Sequence, residues 1–234
     1  MRLSLVRSAV ATAAALACAL AVTGAAWGST YADVVGGDGP VSFWRLGEAS
    51  GTTAADAIGP NPGSYKGGVT LAQPGAVGGD TAASLNGTSG YLTIPDSPSL
   101  HTGDNFTVEL WLKPARLGAN QGLVTKGGYL IALDNTNHVI FRKPNVGTIT
   151  TSTTAIADTA TFHHIAVTKA GPATHIYIDG QDRTGPVANR TITDTTQPLQ
   201  FGTGNGYLTG TLDELALYPR ALTPTQITNH YNAR

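Results

Sequence analysis

The chain has 234 residues, of which 41% are hydrophobic and 12% are charged, and its net charge is -1. Charged residues are about half as frequent as in an average globular protein. The sequence contains no basic run, so electrostatic capture of nucleic acid or of an anionic lipid surface is not expected. Apolar residues recur in short regular runs at a net charge near zero, which excludes a disordered chain.

The first 32 residues have the pattern of a secretory signal peptide. Two arginines near the start precede residues 8–32, which carry no charged side chain and are rich in Ala, Leu and Val. Small residues around Ala26 and Ala32 are typical of a cleavage site. We therefore predict export with cleavage near Ala26 or Ala32, which leaves a single domain over residues 33–234. An uncleaved N-terminal anchor is the alternative.

The cysteine and hydropathy patterns describe the exported part of the chain. Cys18 is the only cysteine and lies inside the predicted signal peptide. The mature protein would therefore rely on its core, and not on disulfides, for stability. No second apolar stretch is long enough to cross a bilayer, so we predict no membrane span in the mature chain.

After residue 40, short β-like runs alternate with clusters of turn residues. The clearest run is residues 106–114, where apolar residues alternate with Thr107, Glu109, Trp111 and Lys113. A spacing of about 8–12 residues between runs is typical of a sandwich or barrel, and no helical pattern long enough for a crossover separates them. The predicted strands are residues 41–46, 65–71, 91–94, 106–114, 122–125, 129–133, 138–142, 148–154, 162–169, 175–179, 199–202 and 210–218.

Two local signals complete the prediction. Asp179-Gly180 follows an apolar run and is typical of a hairpin turn. At the C-terminus, Thr223 is a good N-cap, Pro224 suits the first helical position, and Gln226 completes a capping box. We predict one short helix that closes the chain.

Four groups of segments, in order, resemble the LamG-like jellyroll family of the concanavalin A-like lectin/glucanase superfamily, in its bacterial secreted type. Each motif alone is weak, but their order along nearly all of residues 38–234 is specific. The segments are SFWRLGE at 42–48 with SGTTAAD at 50–56, LNGTSGYLTIP at 85–95 with FTVELWLKP at 106–114, FHHIAVT at 162–168 with IYIDG at 176–180, and GTLDELALYPRAL at 210–222.

This resemblance implies an all-β, two-sheet antiparallel jelly-roll sandwich, to which the short C-terminal helix is added. One sheet would be curved and present a concave face. Strand alternation independently places one set of side chains between the sheets: Val108, Leu110, Ile165, Val167, Ile176, Ile178, Leu215 and Leu217. The opposite faces would carry Glu109, Trp111, His164, Thr168, Tyr177 and Glu214.

Catalytic patterns are weak in this sequence. Glycosidases of this fold class place two or three carboxylates around one bond, whereas Glu109 and Glu214 are lone carboxylates on their strands. His163 and His164 are adjacent on a predicted strand and so point to opposite faces. Serine-hydrolase elbow and zinc-protease motifs are absent from the sequence. We predict a protein that is not an enzyme, with a polysaccharide lyase or glycosidase as the minor alternative.

One structural calcium ion is a further expectation. Alternation points Asp213 inward, and a buried charge is costly unless it is paired or bound to a metal. Asp56 and Asn61 lie in an oxygen-rich loop near the start of the domain, and calcium prefers oxygen ligands. In resembling jelly rolls a calcium often joins the first loop to the last strand, which implies Asp56, Asn61 and Asp213 as ligands. Alternatively, Asp213 caps backbone N–H groups or pairs with Arg45, and Asp56 is a turn residue.

Aromatic faces with a few polar neighbours are typical of sugar sites. We predict a secreted, non-catalytic recognition module that binds carbohydrate through its concave face or rim loops, with a polysaccharide or other glycan as partner. An extracellular protein-interaction or adhesion domain, with a protein partner, is the alternative. The candidate ligand-binding residues are Glu109, Trp111, His164, Tyr177, Asn205 and Tyr207. Alternatively, Trp111 and Tyr177 are structural residues on a face that a loop or the terminal helix covers.

Overall fold

The structure is a computed structural model that describes residues 30–234. In this part of the chain the strands form two antiparallel eight-stranded sheets packed face to face. This arrangement confirms the predicted two-sheet jelly-roll sandwich. No helix in the described residues is long and apolar enough to cross a membrane.

Sheet A has the strand order β14-β13-β12-β7-β16-β5-β4, and β1 also pairs with β16. Its central strands carry the predicted alternation: β7 pairs with β12 in a register that puts Trp111 opposite His164 and Glu109 opposite Ala166. The strands of sheet A are β1 (Ser42–Trp44), β4 (Val69–Pro74), β5 (Thr81–Asn86), β7 (Asn105–Pro114), β12 (His163–Ala170), β13 (Ala173–Ile178), β14 (Gln181–Asp182) and β16 (Thr209–Tyr218).

Sheet B has the strand order β11-β10-β9-β8-β15-β6-β3-β2. The predicted strand at residues 65–71 is in fact divided between the two sheets, because the chain turns at Gly67, where φ is +61°. The strands of sheet B are β2 (Thr53–Ala54), β3 (Gly63–Lys66), β6 (Tyr91–Ile94), β8 (Gln121–Thr125), β9 (Leu130–Leu133), β10 (His138–Lys143), β11 (Gly147–Ala155) and β15 (Leu199–Phe201).

The main core fills the space between the sheets. All eight residues that the alternation places there belong to this core: Val108, Leu110, Ile165, Val167, Ile176, Ile178, Leu215 and Leu217. The Asp179-Gly180 pair forms the predicted turn between β13 and β14, with positive φ at both residues.

Two helices pack on the outer face of sheet A. The predicted C-terminal helix is α2 (Pro224–Asn232), with the capping box between Thr223 and Gln226. A second helix, α1 (Tyr31–Gly37), was not predicted, and it begins with a capping box between Thr30 and Asp33. A 3-10 turn at Pro98–Leu100 lies between β6 and β7.

A β-bulge in β16 changes the predicted orientation of Asp213. The β16–β7 register shifts between Asp213 and Ala216, and Glu214 has a φ of +51°. Leu212 and Leu215 therefore both point into the core, whereas Asp213 lies opposite Trp111. The expectation that Asp213 points between the sheets is wrong, because strict alternation does not hold across a bulge.

Tyr31 of helix α1 packs into the domain close to the predicted cleavage sites. Residues 1–29, most of the predicted signal peptide, lie outside the described residues, but Tyr31 is only 1% exposed and packs against Trp111 and Phe43. Cleavage after Ala32 would remove this aromatic residue from the domain. Of the two predicted positions, cleavage near Ala26 would keep Tyr31 in the folded chain, and the cleavage site and the domain bounds of 33–234 stay predictions.

We expect Tyr31→Ala to lower the free energy of unfolding by about 3 kcal/mol, because truncating a buried aromatic side chain leaves a cavity. Tyr31→Phe keeps the ring and should change stability little. Chemical denaturation of both variants checks this prediction. Equal stability of Tyr31→Ala and the wild type would show that α1 is not part of the stable domain.

Candidate functional site

The outer face of sheet A holds four of the predicted ligand-binding residues. Trp111 lies at its centre, 6.3 Å from Tyr31 of α1 and 5.8 Å from Tyr231 of α2 between ring centroids. Glu109, His164 and Tyr177 lie on the same face. All four side chains are at most 2% exposed. Helices α1 and α2 bury these side chains, which the sequence analysis placed on the face away from the core.

Buried Glu109 is the hub of a polar cluster under α2. The Tyr218 hydroxyl donates to Glu109 Oε1 at 2.6 Å, and His230 Nδ1 lies 2.9 Å from Oε2. His164 Nε2 lies 3.2 Å from Glu109 Oε2. On the far side of His230, Nε2 lies 2.9 Å from Asp38 at the end of α1. The cluster therefore ties sheet A to both helices.

These contacts decide the charge states. Burial alone would raise the pKa of Glu109, but the hydrogen bonds from His164 and His230 outweigh burial and lower this pKa to about 2. Burial opposes the charge on His230, yet its bonds to Glu109 and Asp38 raise the pKa of His230 above its usual value. Glu109 is thus an ionised carboxylate whose oxygens are already occupied by protein donors.

The predicted calcium ligands Asp56 and Asn61 have other partners. Asp56 Oδ1 accepts hydrogen bonds from the N–H groups of Phe43, Ile58 and Gly59, and Oδ2 accepts from that of Asn61. The Asn61 amide donates to the hydroxyl groups of Ser42 and Ser99. Burial opposes ionisation of Asp56, but the backbone N–H groups prevail and lower its pKa. Asp56 therefore organises its loop as a turn residue does.

Asp213 lies in a different environment. Its Oδ2 accepts from the Ala76 N–H at 2.7 Å, an approach made possible by Gly75, where a Cβ would lie 2.8 Å from that oxygen. Burial raises the pKa of Asp213 to about 7. Arg45 pairs with Glu214 and Asp80 instead.

The residues do not fit the predicted calcium site as a unit. Asp213 has no hydrogen-bond partner in common with Asp56 or Asn61, and no group of three or more His, Cys, Asp or Glu residues in the described chain is placed to hold a metal ion. The N–H groups that donate to Asp56 occupy its carboxylate oxygens, and these donors would repel a cation. The alternative, in which Asp213 caps a backbone N–H and Asp56 forms a turn, agrees with these contacts.

The remaining two predicted residues lie on the opposite side of the sandwich. Tyr207 is 39% exposed, and its ring lies 6.2 Å from that of Tyr91 at an angle of 45°. Asn205 is half-buried in the same loop. This loop crosses β8 closely, since the Gly122 N–H donates to the Gly206 carbonyl and a Cβ at Gly122 would lie 2.0 Å from the Thr203 carbonyl oxygen.

The tyrosine pair borders the outer face of sheet B, which no helix covers in the described structure. Cα partners across β3, β6, β15, β8, β9 and β10 define one outward row of side chains on this face. The row contains Ser64, Thr93, Gln200, Thr125, Leu130 and Arg142. Most members are polar and partly exposed, so the face offers hydroxyl and amide groups beside two aromatic rings.

Sequence reasoning missed Tyr91, Thr93 and Gln200 as candidate site residues. A usable signal was present: Leu92 and Ile94 are core residues, so the alternate positions Tyr91 and Thr93 must face outward. The pairing of Tyr91 with Tyr207 was not predictable, because it depends on the path of the glycine-rich loop at 202–207.

Comparison with protein families gives one match. The family model for the concanavalin A-like lectin/glucanases superfamily matches residues 86–228, more than half of the chain. No curated protein matches the sequence.

Solved structures with the same fold include sugar-binding and toxin domains. Domain 4 of AbnA, an extracellular arabinanase from Geobacillus stearothermophilus determined with arabinotriose, is 20% identical, with a TM-score of 0.63, 82% of this chain covered and 98% of that domain. The binding domain of a paraclostridial mosquitocidal protein is 19% identical, with a TM-score of 0.66 and coverages of 83% and 52%. Trypanosoma rangeli sialidase in complex with 2,3-difluorosialic acid is 16% identical, with a TM-score of 0.63 and coverages of 82% and 32%.

These likenesses concern the fold, because all three identities are low. The chain spans about half of the mosquitocidal binding domain and about a third of the sialidase. The fold is thus shared by binding domains and by a chain that contains a hydrolase.

We expect Asp56→Asn to lower the free energy of unfolding by about 1–2 kcal/mol, because an amide NH2 would face the Asn61 N–H group. The loss should be equal in calcium and in EDTA, since the partners of Asp56 are N–H donors. Thermal melting of wild type and variant in both buffers checks this. A difference in melting temperature between wild type and variant that appears only in calcium would show that Asp56 binds the ion.

We expect His230→Gln to lower the free energy of unfolding by about 3–5 kcal/mol near pH 6, because the change breaks a buried charge pair. A raised folded-state pKa stabilises the protein fully below the unfolded pKa of about 6.5. This stabilisation is lost as the pH rises through the folded-state pKa. The gap between wild type and variant should therefore shrink from pH 6 to pH 9.

His175→Gln is the matched control, because His175 also pairs with an aspartate but is 45% exposed. Denaturation at several pH values should show little effect of this control change. A His230→Gln gap that stays constant over the whole pH range would contradict the protonated bridge.

Proposed function

We propose that this chain, which belongs to the concanavalin A-like lectin/glucanases superfamily, is a secreted, non-catalytic module that binds carbohydrate on the outer face of sheet B. The observation that carries the proposal is the Tyr91–Tyr207 pair, in which Tyr207 is exposed and Tyr91 is half-buried, beside a row of hydroxyl and amide side chains. Aromatic rings accept the C–H faces of sugars, and a few fixed polar groups supply orientation.

The burial of sheet A supports a site on sheet B. A glycan cannot reach Trp111 or Tyr177 while α1 and α2 pack on that face, because these side chains are at most 2% exposed. Tyr207, in contrast, is accessible together with Asn205 in the same loop. Binding at the loop and the adjacent strands needs no rearrangement of the core.

The same burial supports a role without catalysis. Glycoside hydrolysis needs two carboxyl groups about 5–9 Å apart around an accessible bond. Glu109 is buried under α2, and Glu214 is buried and paired with Arg45. Neither carboxylate faces a cleft into which a polysaccharide fits.

The distribution of exposed apolar residues favours a glycan over a protein partner. In the described chain, the large exposed hydrophobic residues are Ile58, Val146, Val187 and Tyr207, and they lie in separate loops. Stable protein interfaces are centred on a continuous desolvated patch. The N-terminal basic start and apolar run support export.

The test is binding of the purified protein to a panel of immobilised polysaccharides, neutral and acidic, by affinity electrophoresis and calorimetry. We expect Tyr207→Ala to weaken binding about tenfold, because it removes one ring of the pair. Tyr91→Ala should have a comparable effect.

Ile58→Ala is the control, since Ile58 is 48% exposed but lies in the loop after β2. This variant should bind as the wild type does. Unchanged binding in both tyrosine variants would move the site elsewhere, and absence of binding to the whole panel would refute the proposal.

A further inference from the structure

Acidic residues are distributed unequally between the two sheets. The strands of sheet A contain Glu109, Asp182, Asp213 and Glu214, whereas the eight strands of sheet B contain neither Asp nor Glu. The strands of sheet B do contain cations: Lys66, Arg142 and Lys143. Lys66 and Arg142 lie on the outward side of their strands, so the open face of the sandwich carries positive charge, although the whole chain has a net charge of -1.

Lys66 lies at one end of the proposed binding face. It is exposed, and it is the Cα partner of Tyr91 on the neighbouring strand. No carboxylate pairs with Lys66 among residues 30–234. The ammonium group thus stands next to the aromatic pair without an intramolecular counter-ion.

Three more cations gather at the β10–β11 hairpin, and we call Arg142, Lys143 and Arg190 the hairpin patch. Arg142 is the Cα partner of Thr148, and Arg190 Nε donates to the Thr148 carbonyl at 3.2 Å. Lys143 Nζ donates to the Thr191 carbonyl at 2.7 Å. Within the described chain no member of the patch pairs with a carboxylate, so their remaining N–H groups are available to an anion.

The carboxylates at the borders of sheet B are already occupied. Asp96 pairs with Lys126 and His101. Glu48 accepts hydrogen bonds from the Tyr65 hydroxyl and the Ala55 N–H. Asp134 accepts from N–H groups of its own turn. None of these groups neutralises Lys66 or the hairpin patch.

We propose that the glycan bound on this face is an anionic polysaccharide, one that carries carboxylates along its chain. This inference rests on the proposed function and specifies its ligand class. Thr93 and Arg142 belong to one row and are four strand spacings apart, or about 19 Å. A polymer lying across the strands would stack on the tyrosine pair near Lys66 and reach Arg142 with a later sugar unit.

The charge is best tested with polysaccharides that differ in charge alone. The probes are polygalacturonate and alginate, each compared with its esterified, uncharged form, in calorimetric titrations at two salt concentrations. We expect the acidic forms to bind at least tenfold more tightly, and the difference to shrink at high salt because exposed charges are screened.

Variants separate the charge from the aromatic contact. Arg142→Gln and Lys66→Gln should each weaken binding of the acidic forms about two- to fivefold and leave any binding of the esters unchanged. Arg220→Gln, which removes an exposed cation on the side of sheet A, should have no effect. Tyr207→Ala should weaken binding of both forms.

The outcomes distinguish this inference from the proposed function. Equal binding of acidic and esterified forms, lost in Tyr207→Ala, would overturn the anionic ligand and keep the carbohydrate site. Acidic binding that Arg142→Gln and Lys66→Gln do not weaken would also overturn the inference. If Tyr207→Ala leaves charge-dependent binding intact, the role of the cations would stand and the tyrosine site would be refuted. No binding of either form would overturn the anionic ligand.

Discussion

Glu109 places an ionised carboxylate in the middle of a sheet, and the packing above sheet A follows from the need to keep that charge paired. Removing such a group from water costs several kcal/mol unless donors replace the lost hydration. Tyr218 supplies one donor from the neighbouring strand, and His230 supplies another from α2. Because His230 also contacts Asp38 of α1, one buried charge orders both helices.

That constraint decides which face of the sandwich is free. Once α1 and α2 cover the aromatic side chains of sheet A, this face is a second small core, with Trp111 between Tyr31 and Tyr231. No helix of the described chain covers the outer face of sheet B, where the loop at 202–207 brings Tyr207 close to Tyr91. In another protein with the same fold the other face can be the covered one, because coverage of sheet A depends here on two short terminal helices.

The parts of this structure that sequence predicted best are those set by local periodicity. Alternation in β7 located both of its faces, and the Thr223 capping box located α2, because these signals are contained within a few residues. Sequence left open whether the terminal helix covers this face, since Trp111 and Glu109 have the same pattern under a helix as on an open surface. The bulge at Glu214 was also missed, because the contact of Glu214 with Arg45 joins residues that are far apart in the sequence. Tyr207 is exposed in the glycine-rich loop at 202–207, and its role in binding stays a prediction.

The outer faces of the two sheets carry different polar groups, and this difference fits the proposed ligand. Sheet A holds Glu109 in hydrogen bonds beneath α2 and Glu214 in an ion pair with Arg45, where charge contributes to stability. Sheet B faces water mainly through hydroxyl and amide groups such as those of Thr93 and Gln200, which cost less to desolvate than charged groups do. A sugar chain can replace water at such groups hydroxyl for hydroxyl. Lys66 and Arg142 then add attraction at the ends of the face, where partial exposure keeps the cost of binding a charge small.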